Sequence, residues 1–208
     1  MKNNLITSVI LTSSLIFSNV TYANESSGTS SDGFYVGASL GQSSFDIDTE
    51  DLDLSSNGDY DDTDVSLKML AGYSFNQYFS LEVSYVDFGQ VAVTDNYSQS
   101  SVNVAVGMTS ELTGFTASII AGYPLSEEFT IYAKAGANAW EADTSVRTSA
   151  SGIDFEINES ETNDGTDVFV GLGLSYNFQS FSVRGEYELY DIDGSDVGVL
   201  SVGAIYNF

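Results

Sequence analysis

The sequence predicts an all-β protein, an eight-stranded antiparallel up-and-down β-barrel that spans a membrane. Three observations support this fold class. Eight segments alternate apolar and polar residues with the period of a strand, the connections between them alternate between short and long, and each segment carries an aromatic residue near the same end. The composition agrees, with 13 Phe, 13 Tyr and one Pro among 208 residues.

The first 33 residues precede the predicted barrel. Lys2 supplies a positive charge, residues 5–18 are apolar with interspersed Ser and Thr, and residues 21–23 end on the small Ala23. This pattern is typical of a secretory signal peptide covering residues 1–23. A membrane anchor is the alternative, but the apolar segment is short and rich in hydroxyl groups for that purpose. We expect residues 24–33 to form a flexible polar lead and residues 34–208 to form the barrel.

Eight segments have the residue alternation of strands, and no segment between them favours a helix. The predicted strands cover residues 34–45, 65–75, 78–88, 112–123, 129–140, 168–178, 181–190 and 197–208.

The connections between these strands fall into two sets. Those at 76–77, 124–128 and 179–180 have the length of hairpin turns. Those at 46–64, 89–111 and 141–167 are long, polar and acidic, and the connection 191–196 is a shorter member of the same set. An up-and-down chain places each set at one end of the barrel. Transmembrane barrels have this asymmetry, with short periplasmic turns and longer extracellular loops.

Alternate residues of a strand point to opposite faces, and we call each alternating set a parity. In every predicted strand one parity has no charged residue, whereas the other holds Gly, Ser, Thr, Asn and most of the strand charges. A Lys or Arg that faces lipid at the midplane costs about 2–4 kcal/mol, so the charge-free parity is predicted to face lipid. A soluble barrel, the alternative, would turn its apolar parity inward. The charge-free parity also carries aromatic residues near the short-turn end, which predicts an interfacial aromatic belt. The belt residues are Phe34, Tyr73, Phe79, Tyr123, Phe129, Tyr176, Phe181 and Tyr206.

The sequence resembles the eight-stranded transmembrane domain of the outer-membrane protein A family of Gram-negative bacteria. The likeness rests on the order and spacing of FYVGASLGQSSFD, GYSFNQYFSLEVSYVDFG, IYAKAGANAW, GLGLSYNF with FSVRGEYELYD, and SVGAIYNF, which together span residues 34–208. The resemblance implies a location in the cell outer membrane. Larger members of the family continue into a periplasmic peptidoglycan-binding domain, so we expect a barrel-only member.

The last predicted strand keeps its apolar parity through Tyr206 and Phe208. The resemblance implies that these two aromatic residues form the signal that the barrel-assembly machinery recognises. The alternative is that Phe208 extends the aromatic belt, and the two roles are compatible.

Six charged residues fall on the inward parity. They are Lys68, Glu82, Lys134, Arg184, Glu186 and Glu188. An eight-stranded barrel is just wide enough for side chains to fill it, and buried charges need partners. We therefore expect Lys68 to pair with Glu82 across one hairpin and the other charges to complete a network.

The resemblance implies that such a network can gate a narrow ion path, although Ser175 stands where relatives have an inward acid. The alternative, a permanent polar plug that fixes strand register, is the better-attested use of buried ion pairs.

The formal net charge is −25, from 30 Asp and Glu against five Lys and Arg. This charge argues against direct binding of nucleic acid and favours a solvated surface or divalent cations. Asp191, Asp193 and Asp196 are candidate ligands for Ca²⁺ or Mg²⁺, but they do not have EF-hand spacing, and a solvated acidic face is favoured. Loosely bound cations could link such loops to lipopolysaccharide phosphates. We predict no other cofactor.

The sequence contains no His and no Cys, so it offers neither a Ser–His pair nor a thiolate nucleophile, and we predict that the protein is not an enzyme. The predicted role is structural and interactive: envelope integrity and adhesin-like contact through acidic extracellular loops. The predicted partners are outer-membrane lipid, lipopolysaccharide, the barrel-assembly machinery and a host or surface ligand. The alternative function is a small ion-conducting pore gated by the interior charges.

Overall fold

The computed structural model describes residues 32–45, 59–61, 63–99, 102–151 and 155–208. Over these ranges the chain forms only strands: β1 (Gly33–Phe45), β2 (Asp59–Asp61), β3 (Thr63–Ser74), β4 (Phe79–Gln99), β5 (Val102–Pro124), β6 (Phe129–Ser151), β7 (Phe155–Phe178), β8 (Phe181–Ile192) and β9 (Ser195–Asn207). No helix in this part of the chain is long and apolar enough to cross a membrane. The predicted signal peptide at 1–23, residues 24–31 of the lead and residues 46–58 of the first long connection lie outside the described ranges.

The eight longer strands close into an antiparallel barrel, as the sequence predicts. Each of them pairs with its neighbours in chain order, and β1 pairs with both β3 and β9, which closes the cylinder. The short strand β2 adds to the edge of β4 outside this closed set.

Exposure alternates along each strand in the predicted sense. On β7, for example, Val168, Val170 and Leu172 are exposed while the intervening Phe169 and Gly171 are buried. The charge-free parity therefore faces outward and forms an apolar surface around the barrel, and the polar parity faces inward.

The four central strands are longer than the sequence predicts. β4 to β7 contain 21, 23, 23 and 24 residues, against 12 or 13 for β1, β3, β8 and β9. The connections 89–111 and 141–167, predicted as loops, are mostly strand, because β4 pairs with β5 as far as Gln99–Val102 and β6 pairs with β7 as far as Ala150–Phe155. The first segment contains five Val, which favour strands, but neither segment carries the sustained apolar alternation by which a half-buried strand is identified.

A β-bulge lies where these extensions leave the barrel. β4 pairs with β3 only as far as Asp87, and its register with β5 shifts between Asp87 and Gly89. The extra residue, Phe88, points into the interior, and Gly89 adopts φ +84°, a conformation that favours glycine. The backbone N–H of Gln90 then donates to the carboxylate of Asp64 at 2.7 Å. We refer to residues 89–99, 102–112, 141–151 and 155–168 as the projecting sheet.

The connection 191–196, predicted as a shorter member of the acidic set, is a tight hairpin. Asp193 and Gly194 form a two-residue turn with φ of 52° and 80°, as type I′ turns require, and Asp191 pairs with Asp196 across it. The Asp-Gly pair explains the difference, since it is a strong hairpin signal within a segment whose acidic residues suggest a loop.

Candidate functional site: the barrel interior and the projecting sheet

The six predicted interior charges form one cluster inside the barrel. Glu82, Lys134, Lys68, Glu186 and Glu188 are each at most 4% exposed, and Arg184 is half-buried. The cluster holds three cations and three carboxylates, all joined by ion pairs, so it is neutral overall. Such mutual pairing is what allows charges to remain in an interior of low polarity.

Lys134 lies at the centre of the cluster. Its Nζ contacts Glu82 Oε1 at 2.7 Å, Glu186 Oε1 at 3.0 Å and Glu188 Oε1 at 3.1 Å. These three carboxylates come from β4 and β8, whereas Lys134 lies on β6. The cluster therefore ties together strands that are not neighbours in the barrel wall.

The predicted pair between Lys68 and Glu82 is wrong. Lys68 Nζ contacts Glu186 Oε2 at 2.5 Å and also Glu188, whereas Glu82 binds Lys134 and Arg184. The strand register explains this, because Lys68 lies opposite Val86 and Glu82 lies opposite Gly72, four residues nearer the short-turn end. In a narrow barrel a long side chain reaches across the interior more readily than four residues along the wall.

Two tyrosines complete the hydrogen bonding of the cluster. The hydroxyl of Tyr35 donates to Glu82 Oε2 at 3.0 Å, and that of Tyr132 donates to Glu186 Oε1 at 2.7 Å. The Arg184 guanidinium lies over both rings, 4.9 and 5.4 Å from their centroids. Sequence reasoning missed both tyrosines, although each falls on the inward parity and lies opposite a glycine that leaves room for its ring, Gly72 for Tyr35 and Gly173 for Tyr132.

A packed apolar cluster fills the interior between the charges and the long-strand end. It contains Phe45, Val86, Phe88, Leu112, Trp140, Phe169, Tyr190, Ile192, Val197 and Val199. The Tyr190 ring stacks on Phe169 at 4.7 Å and meets Phe88 edge-on at 4.8 Å. A smaller cluster of Tyr35, Leu70 and Ile205 adjoins the charges, since the Tyr35 hydroxyl donates to Glu82. The interior is therefore filled by two apolar clusters and one ionic cluster.

Trp140 also connects the projecting sheet to the barrel rim. Its indole N–H donates to Asp167 Oδ2 at 2.7 Å, and the same oxygen accepts the backbone N–H of Asp193 at 3.2 Å. Asp167 lies beyond the outward apolar surface, and these two hydrogen bonds lower the pKa of its carboxyl below the usual value. The contact fixes the β8–β9 turn against β7. The sequence analysis did not single out Trp140 or Asp167, and local pattern does not show that Asp193 reaches the same carboxylate.

The predicted cation ligands Asp191, Asp193 and Asp196 do not converge. Asp191 and Asp196 face each other across the hairpin, and Asp191 Oδ1 accepts the backbone N–H of Gly194 at 3.1 Å. Among the residues that the structure describes, no three acidic, His or Cys side chains are grouped as a metal site. Loose binding of Ca²⁺ or Mg²⁺ stays a prediction.

The eight predicted belt residues all lie on the outer surface near the short-turn end. Ring pairs form between neighbouring strands, such as Phe34 with Tyr73 at 4.9 Å and Phe129 with Tyr176 at 4.8 Å. Their placement at a membrane interface stays a prediction.

The two residues of the predicted assembly signal are also in contact. Tyr206 contacts Phe181 at 5.1 Å and Phe208 at 5.0 Å, and the N–H of Phe208 donates to the carbonyl of Phe34 at 3.0 Å. Recognition of this pair by the assembly machinery stays a prediction.

Comparisons with known proteins agree with this architecture. The sequence model of the OmpA-like transmembrane domain family matches residues 29–208. The chain is 28% identical to Outer membrane protein A of Klebsiella aerogenes over 185 residues, which cover 84% of this chain and 48% of that protein. The likeness to Outer membrane protein A of Escherichia fergusonii is similar, with 28% identity over 188 residues and coverage of 84% and 48%. The chain thus spans about half the length of the curated relatives it matches.

Two solved structures share the fold. One is Ail of Yersinia pestis in complex with the heparin analogue sucrose octasulfate, with a TM-score of 0.52, 21% identity, and coverage of 85% of this chain and 99% of that chain. The other is Neisserial surface protein A, with a TM-score of 0.50, 18% identity, and coverage of 85% and 97%. The family match covers most of the chain, and the closed barrel with its outward apolar surface agrees with it. The chain belongs to the OmpA-like transmembrane domain family and is a β-barrel protein of the Gram-negative outer membrane.

Proposed function

We propose that this protein is a non-catalytic, non-conducting anchor that presents the projecting sheet outside the cell, where the sheet binds other surfaces, and that it contributes to envelope integrity. One observation carries the proposal: β4 to β7 continue as a paired sheet well past the rim at which β3 and β8 stop pairing with them. A rigid sheet positions binding groups more precisely than loops do.

The outer face of the projecting sheet is acidic where it leaves the barrel. Glu111 lies opposite Asp143, and Glu141 lies opposite Asp164, so two like-charged pairs occupy neighbouring positions. Like charges directly opposite each other destabilise a sheet. Their presence supports a role in binding, since it is unfavourable for stability alone.

The charge of the sheet restricts the class of ligand. Within the ranges of the projecting sheet, Arg147 is the only Lys or Arg. Ail has been solved with a heparin analogue, a polyanion. A sheet with a single cation is poorly suited to polyanions, so we propose neutral or cationic ligands for this protein.

The filled interior supports an anchor rather than a pore. An ion that followed the barrel axis would have to displace the apolar cluster around Phe88, Phe169 and Tyr190, each at most 2% exposed. The neutral charge cluster below it supplies no unpaired group along which ions could move. In this proposal the interior charges fill the barrel and fix the register of its strands, a role that buried polar groups have in other proteins.

Shortening the projecting sheet tests the surface role. In the test variant an Asn-Gly turn replaces residues 94–107 and a second replaces residues 145–160. The pairs Val93–Met108 and Thr144–Glu161 then flank the two turns, which keeps the strand register below them. We expect unchanged outer-membrane levels, unchanged heat-dependent gel mobility, and loss of attachment of producing cells to cultured epithelial cells. Attachment equal to that of the wild type would contradict the proposal.

Planar-bilayer recordings test the plug. We expect no reproducible conductance steps from the refolded wild type or from Lys68→Ala, with folding confirmed by heat-dependent gel mobility. Steps whose size changes in the Lys68 variant would show that the interior charges line an ion path, and would replace the anchor with a pore.

A further inference from the structure

We infer that the free edge of β7, residues Phe155–Val168, binds an extended cationic polypeptide segment by strand addition. This inference rests on the surface role proposed above and names the partner class.

The edge is defined by where pairing stops. β7 pairs with β6 from Phe155 to Tyr176, but it pairs with β8 only from Phe169 onward. Among the strands that the structure describes, none pairs with residues 155–168 on the side away from β6. The opposite edge of the projecting sheet differs, because β2 pairs there with Ala92–Thr94 of β4. An unpaired strand edge is a template for an added strand.

The base of the edge is held in place. Asp167 Oδ2 accepts hydrogen bonds from Trp140 at 2.7 Å and from Asp193 at 3.2 Å, and Gly165 lies against the Trp140 ring. The hydrogen-bond ladder with β6 holds the rest of the segment extended. An edge that is already extended loses little conformational entropy when a partner strand binds.

The charge on this edge determines which partner fits. Glu159, Glu161 and Asp164 are exposed, and residues 155–168 contain no Lys or Arg. A second copy of the chain is a poor partner, since acidic side chains would face one another across the new pairing. Negatively charged polymers are disfavoured for the same reason. A strand that carries Lys or Arg would pair its charges with these acids while its backbone completes the ladder.

The test uses the full chain folded in detergent micelles and a fluorescently labelled ten-residue peptide of alternating Lys and Thr. A second peptide of the same sequence carries N-methyl groups on alternate backbone amides, which retains the charge but blocks the hydrogen-bond ladder. Fluorescence anisotropy measures both dissociation constants, and amide hydrogen exchange locates the bound peptide.

Two charge-matched variants separate the edge from the overall charge of the protein. Glu159→Gln, Glu161→Gln and Asp164→Asn together remove three charges from β7. The control, Asp32→Asn, Glu127→Gln and Glu128→Gln, removes three from exposed positions at the short-turn end, away from the projecting sheet. We expect the β7 variant to bind the peptide about tenfold more weakly and the control to stay within about twofold of the wild type.

The inference requires that the unmodified peptide binds, that the methylated peptide does not, and that amide exchange slows within residues 155–168. It is overturned if the methylated peptide binds equally well, if both charge variants weaken binding equally, or if the unmodified peptide does not bind. If any of these results occurs while the shortened-sheet variant still fails to attach to cells, the surface role stands and only the partner class is wrong.

Discussion

The two halves of this barrel belong to one closed sheet, but their strands differ in length. In the short half, β1, β3, β8 and β9 contain 12 or 13 residues and stop near the end of the outward apolar surface. In the long half, β4 to β7 contain 21 to 24 residues and continue into the projecting sheet. The membrane dictates only the apolar part of each strand. Beyond that part, strand length is set by cross-strand pairing in water.

The halves are joined inside the barrel. Lys134 and Glu82 belong to the long half, whereas Lys68, Arg184, Glu186 and Glu188 belong to the short half. Lys134 contacts two carboxylates of the short half, and Phe88 of the long half packs on Tyr190 of the short half. Stability should therefore respond most to changes at this junction.

The largest effect is expected for Lys134→Met, which removes two of the three ion pairs that the structure describes between the halves. The change leaves Glu82, Glu186 and Glu188 with fewer partners in a buried site, and breaking such a pair costs about 3–5 kcal/mol. Urea unfolding in lipid vesicles, followed by the fluorescence of the single Trp140, measures the free energy of unfolding.

Arg147→Met is the matched control for this variant, because Arg147 is an exposed cation on the same strand. We expect it to change stability by no more than about 0.5 kcal/mol. Equal effects of the two substitutions would mean that the interior network contributes nothing beyond net charge.

A smaller effect is expected for Gly173→Ala, at the seam where β7 meets β8. A Cβ atom there would overlap the ring of Tyr132, the side chain that donates to Glu186, and overpacking of this kind costs about 1–3 kcal/mol. The paired control is Gly185→Ala on β8, where a Cβ would meet nothing within 4 Å. We expect this control to be neutral or more stable by up to about 1 kcal/mol, from reduced freedom of the unfolded chain. Equal destabilisation of the two variants would contradict the packing argument.

The smallest effect is expected for Asp167→Asn, at the contact between the projecting sheet and the β8–β9 turn. The native carboxylate has a lowered pKa, so its contribution to stability is present above the usual value of 3.8 and is lost as the pH falls through the lowered value. Wild type and variant should therefore differ slightly in thermal midpoint at neutral pH and converge in acid. A difference that stays constant with pH would exclude the charged hydrogen bonds as its source.

Much of the barrel could be predicted from the sequence. Lipid outside and a packed interior require two kinds of side chain, so residue type alternates with a period of two along every strand of the barrel. The alternation of Leu172 and Leu174 with Gly173 and Ser175 separates the two faces of the strand, and the absence of charge from the first set assigns that set to lipid. The six interior charges were found in the same way, since only an inward position could hold them.

Partners within the interior could not be predicted. Which acid Lys68 reaches depends on the register of β3 against β4 and on the distance across the barrel, and neither is encoded in local pattern. The projecting sheet was missed for a different physical reason. Segments such as 141–148 are exposed or only partly buried on both faces, so they lack the apolar period by which a strand is identified.

The charge cluster has a consequence for the order of folding. The contact of Lys68 with Glu186 joins residues 118 positions apart, and that of Lys134 with Glu82 joins residues 52 apart. A partly folded barrel in which β8 is not yet paired would hold Lys68 and Lys134 with only one of their three carboxylates, so water must solvate the lumen until β8 pairs. Closing the wall and expelling that water are then one event, since neither is favourable without the other. The interior charges therefore disfavour incomplete barrels, because these side chains can lose their bound water only when all the strands that carry their partners are in place.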